Sequence, residues 1–208
     1  MQQNLLDGLI VWAHRWHRGL QGQASDSLAN EVVGSLNIAK GATVADLGSG
    51  PGRFTIPIAK LVGPEGRVIA VDVDSDALDE IVKAAKGSGL NNVEVIRADL
   101  TKGIPLPDSS IDVAFMANVL HGLIHSGAGE LVVREVERVL KPGGFFVVVD
   151  FIKGSTPFGP PPWIRLSEEE VVDLVNSNSS LLKLEDELRP VGGSHYLVKF
   201  RKGSRVKR

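Results

Sequence analysis

Five segments of the chain, "TVADL", "RVIAVDVD", "VEVIRAD", "IDVAFMAN" and "FFVVVDF", are nearly unbroken apolar runs of strand length, and segments with helical periodicity lie between them. A strand that alternates polar and apolar residues has one wet face, whereas a continuous apolar run has to be covered on both. The covering helices are expected at "RFTIPIAKLV", at "SDALDEIVKAAKGS" with acids in its first turn, and at "AGELVVREVERVLK", which stops at Lys141-Pro142-Gly143-Gly144. Acids at a helix start, and a cation, proline and glycine at its end, are the favourable placements. Strand, helix, strand at this spacing makes right-handed βαβ units, hence an α/β fold with a doubly wound, mostly parallel sheet. Hydrophobic residues are 43% and charged residues 23% of the 208, enough apolar mass for one domain of ordinary size.

After Asp150 the rhythm changes. A proline-rich loop, "GSTPFGPPPW", leads to Ser167-Glu168-Glu169-Glu170, which reads as a capping box opening one more helix. The last two strand candidates, "LLKLEDELR" and "SHYLVKFRK", flank "PVGG". That connection is too short for a crossover, so the pair is expected as an antiparallel hairpin at one end of the sheet. At the other end of the chain, Leu5, Leu9, Trp12 and Trp16 recur at helical spacing before the flexible "GLQGQASD" and a second helix candidate, "SLANEVVGSL". Residues 1–25 are thus expected to form a helix and link that pack on the main domain or act as a lid, with the main domain at 26–202 and a basic tail at 203–208. Asp7 and the cluster His14, Arg15, His17 and Arg18 exclude a signal h-region or membrane span there, so cytoplasmic residence is the default.

A formal net charge of -2 supplies no field for gathering nucleic acid or anionic membrane, and the basic run "RKGSRVKR" is confined to the last eight positions. The expected partner is a small molecule, and the oligomeric state stays open. Cysteine is absent, which excludes disulfides, thiolate metal sites and cysteine nucleophiles. The histidines have no metal-ligand spacing, and no metal is expected.

The most chemical stretch is "VADLGSGPGRFT", in which Gly48, Gly50 and Gly52 follow an apolar run directly. In an open α/β sheet ligands bind outside the carboxyl ends of the strands, and the first strand-to-helix turn lets backbone approach them closely. A dinucleotide fingerprint requires a glycine where Arg53 stands. Acids end successive strands: Asp46 by the first, Asp72 at the second and Asp99 beyond the third. Ionised aspartates only accept hydrogen bonds, so three around one crevice call for a ligand rich in donors and positive charge. S-adenosylmethionine, with its ammonium, sulfonium, ribose hydroxyls and adenine amine, fits that requirement. A pyrophosphate would meet Asp46 at close range, which disfavours a nicotinamide-dependent oxidoreductase.

These motifs resemble those of the class I S-adenosylmethionine-dependent methyltransferases, and within them the ubiquinone/menaquinone-biosynthesis-like group called type 11. The resemblance covers about residues 30 to 200: "VADLGSGPGRFT" is similar to the family's first motif and "VIAVDVDSDAL" to its second. "VIRADLTKGIPLPDSSIDVAFMANVLHGL" resembles its third and fourth, and "VERVLKPGGFFVVVDF" its fifth-strand signature. It implies a Rossmann-like seven-stranded sheet whose last strand runs antiparallel. It also implies that Asp46 and Gly48-Ser49-Gly50-Pro51-Gly52 face the methionine part of the cofactor and that Asp72 holds the ribose hydroxyls. Val73 would pack on the adenine, Asp99 and Leu100 would take its amine and edge, and Asn118 would lie near the transferring methyl.

Methyl transfer from a sulfonium needs alignment more than functional-group catalysis; a base is required only when the acceptor must lose a proton. His121 and His125, in "NVLHGLIHSG", are the candidate bases, with a packed or solvent-facing loop histidine as the alternative for each. The strand-four residues Asn118-Val119-Leu120-His121 lack the Pro-Pro-aromatic pattern of base-flipping amino-methyltransferases. "FGPPPW", with Phe158 and Trp163, either bounds an apolar substrate pocket or is a rigid connection. The expected activity is methyl transfer to a small, quinone-like, aromatic or apolar acceptor. A non-catalytic cofactor-binding partner subunit is the remaining alternative.

Overall fold

Alternation of strands and helices carries through the computed structural model, which describes residues 23–154, 156–185 and 189–204. Helix α1 (Gln23–Ser35) leads into β1 (Thr43–Leu47), α2 (Thr55–Val62), β2 (Arg67–Asp72), α3 (Ser75–Gly87) and β3 (Val93–Arg97). A 3-10 turn (Leu100–Lys102) precedes β4 (Ile111–Ala117), α4 (Leu120–His125), α5 (Gly129–Val139) and β5 (Leu140–Phe151). A second 3-10 turn (Pro162–Ile164), α6 (Glu168–Asn178), β6 (Leu182–Leu184), β7 (Arg189–Val191) and β8 (His195–Lys202) complete the order. The lid or packing role expected for residues 1–25 lies outside the described residues except for the first turn of α1, as do the last four residues of the basic tail.

The sheet runs β3-β2-β1-β4-β5-β8-β6, with β7 paired to β8 off that path. All neighbours from β3 to β5 are parallel, and β8 is antiparallel to β5, β6 and β7. Apolar residues at alternate positions feed two cores. On one face Ala45, Met116, Val148 and Phe200 meet α4, α5 and α6; on the other Val44, Phe115 and Val149 meet α1 and α2. This is the physical reason the strands read as continuous apolar runs.

Local signals hold where a single element decides them. Ser167 and Glu170 form the expected capping box at the start of α6, and Asp74 caps α3 by accepting from the amides of Asp76 and Ala77. Two readings are corrected. "LLKLEDELR" is not one strand: β6 pairs with Phe200 to Lys202 of β8, while β7 pairs with His195 to Leu197. Only β7 and β8 make the hairpin. The helix expected to run to Lys141 ends at Val139, and Leu140 already pairs with Ile111. The pairing then shifts register, and Phe145 faces Val113. The excursion between them needs glycine at 144, where a Cβ would lie 2.8 Å from the carbonyl oxygen of Asp112.

Candidate functional site

Strand order reverses between β1 and β4, and the crevice outside the carboxyl ends of two such strands is where an open α/β sheet receives its ligand. The glycine loop after β1 and the Asn118–Val119 turn after β4 meet there. Gly48 has φ of +77°, and a Cβ added to it would lie 2.8 Å from Val119 Cγ1 and nearer still to Cγ2, so only glycine permits the contact. Asn118 is itself left-handed, with φ of 61°, and its amide donates to Val149 O at 2.8 Å.

Two polar atoms beside this contact, Ser49 Oγ and Asn118 Oδ1, are buried without a hydrogen-bond partner. A buried polar group left unpaired is costly; His195 Nε2 and Tyr196 Oη are unpaired too, but Ser49 and Asn118 stand at the crevice, where a ligand can pair them. Asp46, 2% exposed, accepts from Thr55 Oγ1 at 2.6 Å. Burial pushes its carboxyl up to about 7, the Thr55 bond lowers it in part, and the charge of Asp72 raises it further. Asp72 orders the glycine loop: its Oδ2 accepts from the Gly50 amide at 2.7 Å and its Oδ1 from the Asp74 amide at 2.9 Å. Each oxygen retains a second lone pair for another donor. Beside it Val73 is 40% exposed, an apolar side chain at the carboxyl end of β2 with an open face.

Asp99 lies farther along the same edge and caps its own turn. Its Oδ1 accepts from Thr101 N at 3.0 Å and Thr101 Oγ1 at 2.6 Å, and its Oδ2 pairs with Lys102 at 3.1 Å. The Thr101 hydrogen bond holds its carboxyl below the usual range. Leu100 is buried in the core.

The two candidate histidines differ. His121, in the first turn of α4, directs Nδ1 at both oxygens of Asp150, at 2.9 and 3.0 Å. Burial disfavours its charged form, but the charge and hydrogen bond of Asp150 prevail and hold it above the ordinary histidine value. His125 donates from Nδ1 to the carbonyl of His121 at 2.9 Å, a bond within its own helix. Asp150 was absent from the sequence-derived site, although it ends an apolar strand just as Asp46 and Asp72 do. Arg165 was also missed. This residue is 4% exposed, and its guanidinium donates to the carbonyls of Ile152, Gly154, Phe158 and Pro160, which ties the start of "FGPPPW" to the end of β5; Trp163 is 79% exposed.

These residues fit S-adenosylmethionine. Unpartnered acceptors and carboxylates suit its ammonium and hydroxyls, and the open face of Val73 suits an adenine. Asp46, Ser49, Gly50, Gly52, Asp72 and Asn118 would hold it. Among the described residues no His, Asp and Glu grouping is arranged for a metal, and no helix is long and apolar enough to cross a membrane.

A family profile described as a methyltransferase domain matches residues 38–195. The ubiquinone/menaquinone biosynthesis C-methyltransferase of Hahella chejuensis is 32% identical over 130 residues, 61% of this chain and 49% of that protein. The demethylmenaquinone methyltransferase of Geobacillus stearothermophilus is 32% identical over 120 residues, 58% of this chain and 50% of that protein. The chain spans about half the length of the curated relatives it matches. A solved S-adenosylmethionine-dependent methyltransferase from Aquifex aeolicus superposes with a TM-score of 0.80 at 28% identity, over 91% of this chain and 98% of that one. A profile that accounts for the sheet from the segment before β1 to the first residue of β8, and a solved structure that aligns almost end to end, make this chain a member of the S-adenosylmethionine-dependent methyltransferase family.

Proposed function

We propose that the protein transfers the methyl group of S-adenosylmethionine to a small aromatic or quinone-like acceptor. The observation that carries the reading is the pair of buried, partnerless atoms, Ser49 Oγ and Asn118 Oδ1, on either side of the Gly48–Val119 contact. In this reading Asp46 and the Gly48 to Gly52 loop face the methionine part, Asp72 takes the ribose hydroxyls, Val73 lies on the adenine, and Asp99 with Leu100 borders its amine. Residues 26–202 are, in this reading, the catalytic domain.

The cofactor supplies a methyl group on a positively charged sulfur, which departs as a neutral thioether when the acceptor's electron pair takes the methyl. The protein's own contribution is alignment, which is worth roughly 7–11 kcal/mol when reacting groups are held in line. The acceptor class is supported by the two relatives, a ubiquinone/menaquinone biosynthesis C-methyltransferase and a demethylmenaquinone methyltransferase. An oxidoreductase reading is disfavoured, because a pyrophosphate would approach the carboxylate of Asp46, whereas Asp72 would suit the ribose of either ligand. A non-catalytic partner subunit is separated by turnover alone.

Calorimetry with S-adenosylmethionine, its demethylated product and NAD tests the cofactor, and labelled-methyl transfer to 1,4-dihydroxynaphthalene tests the acceptor. Binding of the first two with transfer to the quinol is expected. Tight NAD binding with none to the methyl donor would overturn the reading.

A further inference from the structure

We infer that Asp150 is a positioning residue for a proton acceptor at His121 Nε2, and that the methyl acceptor is therefore a protic one, a phenol, enol or quinol, that gives up its proton as it is methylated. This deepens the methyltransferase reading and rests on it.

Asp150 is 0% exposed. Its Oδ1 takes His121 Nδ1 at 2.9 Å and the Phe151 amide at 2.8 Å, and its Oδ2 takes the same Nδ1 at 3.0 Å and the His121 amide at 3.4 Å. One carboxylate thus holds both the ring and the backbone of His121. An ionised carboxylate only accepts, so Nδ1 carries the hydrogen and the neutral ring presents a bare lone pair at Nε2. An aspartate on Nδ1 sets the tautomer in this way and steadies the imidazolium that follows proton uptake. No described residue bonds Nε2, and the His121 side chain is 10% exposed, so the ring is not sealed into the core.

The other described histidines lack this arrangement. His195 Nε2 is buried without a partner, and burial pulls that ring down to about 4, which keeps it neutral beside Phe151, the two rings tilted with centroids 4.1 Å apart. His125 has only a carbonyl on its Nδ1. Of the three, His121 is the one in the first helical turn after Asn118–Val119, whose Val119 packs on the glycine loop. The groups acting on it are Asp150 from β5, which raises it, and Arg165 beyond the second 3-10 turn, which opposes that. Tyr196 of β8, across from Asp150, is pushed up by burial and stays neutral, and His125 lies one turn along α4.

In the step, the acceptor's oxygen or carbon forms a bond to the methyl carbon and its bond to hydrogen breaks. The proton goes to Nε2, the new imidazolium charge is matched by Asp150, and the pair from the methyl–sulfur bond stays on the departing sulfur. Water later removes the proton from Nε2. A thioether or tertiary amine carries no such proton and needs no such device.

The test begins with nitrogen-15 imidazole NMR of the intact protein, which needs no variant. It is expected to show His121 as the Nδ1–H tautomer, titrating above the ordinary value of about 6.5, and Asp150→Asn should lower that titration. An Nε2–H tautomer, or a titration unmoved in Asp150→Asn, would overturn the dyad. Transfer to 1-naphthol and 1,4-dihydroxynaphthalene is then compared with transfer to N,N-dimethylaniline and methyl phenyl sulfide. With protic acceptors, His121→Gln should lower kcat about a hundredfold or more with cofactor affinity kept. Asp150→Asn should move the acid limb of the kcat profile to lower pH, a shift that a merely structural role would not produce. Cofactor binding without transfer to the protic pair, or faster transfer to the aprotic pair, overturns the inference and leaves cofactor binding intact as a result. Absence of cofactor binding overturns the methyltransferase reading itself.

Discussion

At Asp46 a carboxylate and a near-zero exposure meet, and the conflict has a measurable sign. Its folded value, about 7, lies above its ordinary 3.8, so the folded protein keeps this proton longer than the unfolded chain does. Stability from the group is therefore fully present below pH 3.8 and is lost as pH rises through about 7. Asp46→Asn cannot ionise and still accepts from Thr55. It should exceed the parent in stability at pH 8 by on the order of a few kcal/mol, and the gap should close toward pH 4; denaturant titrations at the two pH values check this. A gap that is equal at both would show that charge is not the cost. Asp72 acts by hydrogen bonding instead. Asp72→Ala removes the acceptor of the Gly50 and Asp74 amides and should weaken S-adenosylmethionine binding by about 1.5–3 kcal/mol in calorimetry.

Turns and loops set the distances between elements. Gly48→Ala forces a Cβ into Val119 at a φ of +77°, so it should cost roughly 1–3 kcal/mol, as overpacking does. Val119→Ala in the same chain relieves the overlap but not the backbone conformation. A double-mutant cycle should therefore show a coupling of about 0.5–3 kcal/mol, and none if the two turns do not touch. The proline-rich loop depends on one side chain in a similar way. Arg165→Met leaves the carbonyls of Ile152, Gly154, Phe158 and Pro160 without their donor. Hydrogen exchange in residues 152–160 should then quicken while α5 stays protected. Equal exchange in parent and variant would mean that the prolines alone hold the loop.

For the whole molecule, a ligand that binds only the folded state stabilises it by mass action. S-adenosylmethionine at a hundred times its Kd should add about 2.7 kcal/mol, which for a chain of this size is a rise in Tm of about 2–4 °C per kcal/mol. NAD at the same concentration should leave Tm unmoved; the reverse pattern in a thermal melt would favour the oxidoreductase reading.

How much of this was legible depends on the range over which each feature is decided. Strand-length apolar runs, the Ser167–Glu170 capping box and the glycine loop at Gly48, Gly50 and Gly52 are readable because covering a strand on both faces, capping a helix and turning tightly constrain residues close together in the chain. The acids at 46 and 72 were readable as a group because each ends a strand, and parallel strands bring their ends to one edge. Asp150 carried the same signal, but its meaning comes from His121, 29 positions away, and no local pattern links them. The Lys141-Pro142-Gly143-Gly144 run has the chemistry of a helix stop, yet it is a register shift inside β5, because pairing of Leu140 with Ile111 across the sheet outweighs local preference. The sequence by itself determined the layers, the parallel strands and the edge to which Asp46 and Asp72 are brought. Only the tertiary structure decided which carboxylate orders the loop, which one orients a histidine and which caps its own turn, since hydrogen-bond partners between distant strands and helices are chosen by packing.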